Sequence, residues 1–548
     1  MEDDQSNKIT RRGFLKMLGA SALFAGLGLT GLQTLTSVKN TGSRQDNVSF
    51  ADSGGSWKFG PTTLYTAIHA ALLYNGKIFY MAGSDYNPNN ANGPYTAAVW
   101  DPVTNTQVNV PLSEDLWCSG HAQLANGNLV ISGGTLKYID VSPNNRWWGL
   151  SSAYEFDVPS QKFVKVQSMS HGRWYPTLMS LGGGSVACFS GLDEFGCGNQ
   201  LTEIYDPSSK TWSISYDPSS SVKYCVGYCT TEPGAGSPCY GGSPNHGASP
   251  YISYYPRMHL MPSGLLAVVG MNSMMYTWNP STRVWNNAGQ MMDTAQRIYA
   301  TSVLLPLQND TTEQGKILVA GGALTLAGSA NNTCLMITPN GTKLTPQLTE
   351  SMKYPRIYLS SVILPNGKII VFGGSTANNQ TGNAVYNPEM FDTLTNSWTV
   401  LPPATVPRLY HSVALLLPDG TVWTAGTSYS KLTHELRTEI FSPSYVSATR
   451  PTILGNPVIT GGYGGSITIQ TPDAARITSV SLVKISSTTH HYNSDQRLIW
   501  LQIQSTNSSS VTVKAPINSN LAPPGYYMIH VLDSSSIPSV AKFIKIPS

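Results

Sequence analysis

Arg356-Ile-Tyr358-Leu-Ser-Ser-Val-Ile-Leu-Pro-Asn366-Gly-Lys-Ile-Ile-Val-Phe-Gly-Gly374 reads as an apolar run, an Asn-Gly turn, a second apolar run and a glycine pair. Two strands joined by a tight hairpin account for that order. The same theme recurs along the chain. It appears as Asn75-Gly-Lys-Ile-Phe-Tyr-Met-Ala-Gly83, Asn126-Gly-Asn-Leu-Val-Ile-Ser-Gly-Gly134 and Gly182-Gly-Gly-Ser-Val-Ala-Cys-Phe-Ser-Gly191. It returns as Ser263-Gly-Leu-Leu-Ala-Val-Val-Gly270, Gly315-Lys-Ile-Leu-Val-Ala-Gly-Gly322 and Asp419-Gly-Thr-Val-Trp-Thr-Ala-Gly426. A second theme follows several copies: Trp100-Asp-Pro, Tyr205-Asp-Pro with Trp212, Trp278-Asn-Pro with Trp285, and Tyr386-Asn-Pro with Trp398. This second theme predicts a third strand, a turn and a fourth strand ending on an aromatic. A period near fifty residues with Gly-Gly and an aromatic is the kelch-type signature. The expected fold is all-β: a seven-bladed kelch-type β-propeller over 41–448, with an insertion at about 213–254. Beyond Arg450 the repeat stops. Short strands such as Ser466-Ile-Thr-Ile, Val480-Ser-Leu-Val, Leu498-Ile-Trp-Leu and Tyr526-Tyr-Met-Ile-His-Val predict an immunoglobulin-like β-sandwich over 449–548.

The composition agrees with a turn-rich, exported protein. Of 548 residues only 11% are charged, while 50 are Gly, 28 Tyr and 12 Trp. The net charge of +3 and the lack of a basic stripe give no case for nucleic acid. Thr10-Arg11-Arg12-Gly13-Phe14-Leu15-Lys16 precedes an apolar run from Met17 to about Leu35. Residues 1–40 are therefore read as a twin-arginine export signal, the alternative being an uncleaved anchor that retains the protein at the membrane. Secretion or display at the cell surface follows, with a monomer as the expected state. Seven cysteines (Cys118, Cys188, Cys197, Cys225, Cys229, Cys239 and Cys334) leave one thiol over if the others pair.

Blades converge on a central channel, so residues at the start of each inner strand meet there. Upstream of the hairpin turns stand Tyr65 and His69, Cys118-Ser-Gly-His121, Arg173-Trp174-Tyr175, Arg257-Met-His259, Arg297-Ile-Tyr299, Arg356-Ile-Tyr358 and Arg408-Leu-Tyr410-His411. Arg297, Tyr299, Arg356 and Tyr358 read equally well as repeat residues that satisfy backbone groups and as site residues. Cys118, Tyr175, Tyr410 and His411 depart from the repeat, which points to chemistry. Thr488-Thr489-His490-His491-Tyr492 adds adjacent histidines on a loop between two sandwich strands. Imidazole nitrogens with phenolate oxygens suit Cu(II), whereas zinc sites favour thiolates and carboxylates. Gly-x-Ser-x-Gly, His-Glu-x-x-His and phosphate-loop motifs do not occur.

At these residues the chain resembles the copper radical oxidases, the family of galactose oxidase and glyoxal oxidase. The likeness runs from the first repeat to the C-terminus. It rests on Trp117-Cys118-Ser-Gly, Arg173-Trp174-Tyr175-Pro-Thr, Leu409-Tyr410-His411-Ser, and Thr489-His490 followed by Asp495-Gln496-Arg497. Ala522-Pro-Pro-Gly-Tyr-Tyr-Met is similar to the family's terminal sandwich, and the Arg-Trp-Tyr form is closer to glyoxal oxidase. The resemblance implies copper held by Tyr175, Tyr410, His411 and His490. It implies a thioether from Cys118 to the ring of Tyr175, which carries a radical, and Tyr410 as base. The implied reaction oxidises a primary alcohol, aldehyde or carbohydrate and reduces O2 to H2O2. Arg297, Tyr299, Tyr358 and His259 are the expected lining of the substrate's path. Galactose oxidase covers its radical with a Trp placed shortly after the third glycine pair. Here that place reads Gly191-Leu-Asp-Glu-Phe195-Gly-Cys197, so Phe195, His246 or Tyr251 is expected to cover Tyr175. The rival readings are a non-catalytic kelch platform binding a glycan or a protein, and a propeller hydrolase or lyase using another metal.

Overall fold

The structure is a computed structural model that describes residues 54–216 and 252–547, except 86, 88, 90–91, 140–141, 143–145, 253, 271–272, 293–296, 325–328 and 431–432. The expected export signal, Cys225, Cys229, Cys239, His246 and Tyr251 lie outside the described residues. Residues 51–548 form one compact unit. Among the described residues there is no α-helix, and seven sheets each contain a four-strand antiparallel meander.

The two inner strands of each sheet are buried throughout, as in Ser360–Ile363 with Ile369–Phe372. The outermost strand is largely exposed, as in Thr106–Asn109 and Lys162–Lys165. This gradient explains why the repeat reads as unbroken apolar runs near its hairpin and as polar sequence farther on. The hairpin turn needs its glycine. Leu364 N donates to Lys368 O, Gly367 N donates to Leu364 O, and Gly367 takes φ +82°, a left-handed position that closes a three-residue loop. Gly373 has a different reason: a Cβ there would lie 2.4 Å from the carbonyl oxygen of Arg408.

Inner strands of consecutive sheets adjoin one another, and the last, Ser412–Leu416, lies beside the first, His69–Leu72. The last sheet takes its outer strand from the other end of the chain. Ser56–Phe59 pairs antiparallel with Glu439–Ser442. Two details differ from the sequence reading. Thr211–Tyr216 is the outer strand of the third sheet, so the insertion expected from 213 begins after it. In the sixth sheet the third strand is Glu389–Asp392, with Phe391 opposite Trp398, so Tyr386-Asn-Pro precedes that strand instead of ending it.

Past residue 450, two sheets form the sandwich. One contains Leu454–Thr460, Ser466–Gln470, Ser510–Lys514 and Ile503–Thr506. The other contains Ile477–Lys484, Leu498–Leu501, Gly525–Asp533 and Lys542–Ile546. Their shared core of Ile467, Val511, Val480, Leu482, Ile529 and Val531 is continuous with Val319 and Leu335 of the fifth sheet. Pairing also crosses between the two parts. Leu307–Gln308 joins the sandwich in parallel with Leu498–Leu501.

The segment expected as a loop between sandwich strands is a β-hairpin. Ser487–Thr489 pairs with Tyr492–Asn493 and adds to the inner edge of the first sheet against His69–Ala71. It also lies beside Gly120–Gln123 and Ser412–Leu416, while Tyr492–Asn493 lies beside Thr301–Leu304 and Ser360–Ile363. The next three residues bolt it down. Asp495 accepts from Gln123 N and Ser180 Oγ and pairs with Lys484 at 2.7 Å. Gln496 bonds both backbone groups of Ile363, and Arg497 donates to Leu260 O. One tripeptide thus ties the inner strands of four sheets.

The repeat's arginines are buried clasps. Arg173, Arg297, Arg356 and Arg408 donate to the carbonyls of Ser190, Gly321, Gly373 and Gly426, one per sheet. Arg297 is 1% exposed and also donates to Asn331 Oδ1 and Thr333 O. These bonds make it a clasp, the structural one of the two roles expected for it. Arg173 and Arg356 also form buried ion pairs, with Glu203 at 2.7 Å and Glu389 at 2.5 Å. Removing one partner strands a desolvated charge. Glu389→Ala is expected to cost about 3–5 kcal/mol in urea unfolding, against less than about 1 kcal/mol for Asp101→Ala, whose partner Lys77 is a third exposed. Equal losses in the two variants would contradict the clasp.

Candidate metal centre

Each inner strand after the first is entered through a non-glycine residue in the left-handed backbone region. These residues are Cys118 (φ +62°), Tyr175 (+68°), Tyr255 (+42°), Tyr299 (+58°), Tyr358 (+63°) and His411 (+66°). Such conformations cost on the order of 1–3 kcal/mol each and persist where surrounding structure enforces them. Here neighbouring entries bond to one another: Tyr175 N donates to Cys118 O, Tyr255 N to Tyr175 O, and Tyr358 N to Tyr299 O. The hairpin tip adds two more. His490 (+47°) and His491 (+68°) are the central residues between the paired Thr489 and Tyr492. A two-residue turn with both φ positive ordinarily selects Asn-Gly. Two histidines there trade backbone ease for side-chain chemistry.

The cluster contains the residues singled out by sequence. Tyr175 Oη lies 2.5 Å from Tyr410 Oη. Ligand atoms of Cys118, His411 and His490 lie within 4.8 Å of one another, and His490 Nε2 is 3.7 Å from Cys118 Sγ. The His490 ring sits 4.6 Å from that of His411 and 4.7 Å from that of Tyr175. His491 stands to the side, 5.6 Å from Tyr358 and 5.7 Å from Tyr410. Each central histidine is oriented through Nδ1, His490 by Thr489 Oγ1 at 2.7 Å and His411 by Ser428 Oγ at 3.2 Å. Nε2 is then the nitrogen with which each ring can ligate. Arg257 Nη2 donates to His490 O, and Asn379 Oδ1 accepts from Tyr410 N.

The electrostatics suit a cation. Burial, then neighbouring His434, pushes His411 down to about 3. Burial, followed by His411, His69, His491 and Arg257, holds His490 well below its usual range. Both are neutral imidazoles at neutral pH, the form that ligates. Burial above all raises the phenols of Tyr175 and Tyr410 well above 10, and Cys118 and the facing phenol add to it for Tyr175. A cation among them reverses that preference by stabilising phenolate. Two neutral imidazoles and two phenols fit a tetragonal N,O ion such as Cu(II).

The other expected residues divide. Tyr299 and Tyr358 stand 5.7 and 5.2 Å from Tyr410, at the mouth. His259 lies inside the strand Arg257–Leu260, bonded to Ser302 Oγ at 2.8 Å beside a small cavity with Ser361 and Gln496. The sequence reading places Arg257-Met-His259 at the fourth entry, four residues too far along; the fourth entry is Tyr255, whose ring is 4.4 Å from His490. The matching Tyr-Pro pairs at Tyr175-Pro176 and Tyr255-Pro256 were the available signal. Among the described residues a ring not expected from the sequence covers Tyr175, while His246 and Tyr251 lie outside them. Phe195 faces Trp148 at 6.2 Å, and Trp174 stacks on Tyr175 at 3.8 Å and 7°. The left-handed turn at Tyr175 lays these successive rings face to face. Cys118, Cys188 and Cys334 are buried thiols, whereas Cys197 is disulfide-bonded.

Comparison with known proteins agrees with this architecture. Residues 248–445 match the family model for the glyoxal oxidase N-terminus, and 450–546 match the galactose oxidase-like early set domain. Galactose oxidase of Gibberella zeae is 26% identical over 539 residues, covering 94% of this chain and 74% of that protein. Aldehyde oxidase GLOX of Vitis pseudoreticulata is 26% identical over 562 residues, covering 91% and 98%. A fungal alcohol oxidase solved in complex with copper shares the fold at a TM-score of 0.73 and 24% identity, over 90% of this chain and 99% of that one. A β-propeller matched to glyoxal oxidase, followed by a galactose oxidase-type sandwich, makes this chain a member of the galactose oxidase and glyoxal oxidase family of copper radical oxidases.

Proposed function

We propose that the protein oxidises a primary alcohol or a hydrated aldehyde with O2, giving the carbonyl or acid and H2O2. The scaffold in this reading is a closed seven-bladed ring, with a C-terminal sandwich that lends its hairpin to the centre. The carrying observation is the pair of phenol oxygens 2.5 Å apart between two oriented neutral imidazoles, with a buried thiol at the same centre. Tyr175, Tyr410, His411 and His490 would hold copper, and Cys118 would join the Tyr175 ring as a thioether. Forming that bond removes the thiol hydrogen and one ring hydrogen, and O2 takes the two electrons. Bound copper would supply a one-electron acceptor and pass electrons to O2.

The chain's own groups do the rest. Tyr410 accepts the substrate's hydroxyl proton. Tyr175, as a radical, takes a hydrogen atom from the carbon, so with copper's one electron the substrate loses two electrons and two protons. Tyr299 and Tyr358 border Tyr410 and present apolar faces to the substrate. Trp174 covers the Tyr175 ring and keeps water off it. The twin arginine Arg11-Arg12 supports export, which suits an enzyme that releases peroxide.

Three outcomes test this reading. Incubation with copper and air should remove two hydrogens between the peptides carrying Cys118 and Tyr175, seen by mass spectrometry and absent in Cys118→Ala. An unmodified wild-type thiol would defeat the cross-link. Tyr175→Phe should abolish peroxide release in a coupled assay over alcohols and aldehydes while copper still binds; wild-type turnover would sink the mechanism. His490→Ala should weaken copper binding by roughly 100-fold, and His491→Ala by no more than about threefold. The reverse order would reassign the ligand.

A further inference from the structure

We propose that a line of stacked indoles is a one-electron path from Tyr175 to the protein surface, through which an external oxidant generates the radical. The inference rests on Tyr175 being the radical residue. Trp174 lies on Tyr175 at 3.8 Å and 7°, and Trp147 lies on Trp174 at 5.1 Å and 3°. The three rings thus form two successive near-parallel stacks, the offset form of which ring quadrupoles favour. The arrangement places three oxidisable π-systems face to face in one line. Trp174 is 7% exposed and buried, whereas Trp147 is only partly buried, so the line runs from the centre toward solvent. Trp117 and Tyr138, both buried, flank Trp147 at 5.1 and 4.8 Å and hold its ring in place.

The neighbouring indole marks the end of the path by contrast. Lys137 Nζ sits 4.1 Å over Trp148. A cation on the face of a ring makes electron loss from it harder, so Trp148 is a poor exit and Trp147 the better one. The step balances simply. With the phenol already ionised, Tyr175 phenolate loses one electron and becomes a neutral phenoxyl radical. The oxidant gains that electron, and no proton moves. The co-reactant is any outer-sphere one-electron oxidant, such as a metal complex or an oxidised redox protein. This path serves activation, not the O2 reaction, which takes place at the metal centre.

The test mixes copper-loaded protein, first reduced to its radical-free form, with one equivalent of hexacyanoferrate(III) in stopped flow. The readouts are loss of the oxidant's own absorbance and growth of the radical's. Trp147→Phe keeps an aromatic ring but is far harder to oxidise. It should react about tenfold or more slowly, while pre-activated enzyme turns over substrate with O2 as the wild type does. Trp147→Tyr, again oxidisable, should restore most of the rate. A wild-type oxidation rate in Trp147→Phe overturns the path and leaves the proposed function standing. A wild type that consumes no oxidant and forms no radical overturns the proposed function, and the path with it. A measurement without variants backs this up: in wild type given excess oxidant, peptide mapping should find oxygen added to Trp147 before Trp148. The opposite order also overturns the path.

Discussion

The strand pairing of Ser487–Thr489 against His69–Ala71 is the contact on which the centre depends. Without it the inner strands would offer Tyr175, Tyr410 and His411 but not His490. With it, a hairpin from a different part of the fold becomes an added strand of the first sheet and delivers His490 to the middle. Backbone hydrogen bonds fix its depth, since a one-residue slip would turn every side chain to the opposite face. Asp495, Gln496 and Arg497 then lock the insertion from below by bonding to Gln123, Ser180, Ile363 and Leu260. A tripeptide that looked like part of a binding motif is the fastener of that motif.

The centre is costly in two currencies, backbone and charge. Eight of its residues hold left-handed conformations without being glycine, and two phenols are desolvated to the point where neither ionises readily alone. Neither feature aids folding. The arginine clasps, the rim of peptide hydrogen bonds and the packed inner strands offset them. The same burial that opposes phenolate also opposes imidazolium, so the site is prepared for a cation from both sides. A bound cation would suit all four groups at once.

Much of this was legible in the sequence, for a physical reason. Blades repeat, so each apolar pair and hairpin glycine is written again every fifty residues or so, and departures stand out. Cys118, Tyr175, Tyr410 and His411 were visible as departures, and the doubled histidine at 490–491 as an oddity in a turn. The fourth repeat is misplaced in the sequence because Arg257 mimics the clasp arginines; it sits two residues after its entry residue Tyr255, where Arg173, Arg297 and Arg356 sit two before theirs, and it serves His490 instead. Trp174 was overlooked as a cover because adjacent side chains in extended chain point apart, and only the positive φ at Tyr175 brings the two rings together. Arg297 was ambiguous because a clasp and a ligand-binding arginine look alike until their acceptors are known. The hairpin that carries His490 was read as a loop because its two strands are three and two residues long, below what alternation can reveal.

The strand Ser56–Phe59, bound to Glu439–Ser442, carries a consequence for how the molecule is made. Ribosomes deliver the amino end first, so this segment must wait, unpaired, for nearly four hundred residues before its neighbour exists. The histidine hairpin arrives later still. A chain made as far as residue 411 therefore has Tyr175, Tyr410 and Cys118 but still lacks His490. The order of synthesis thus assembles the centre only in the finished polypeptide.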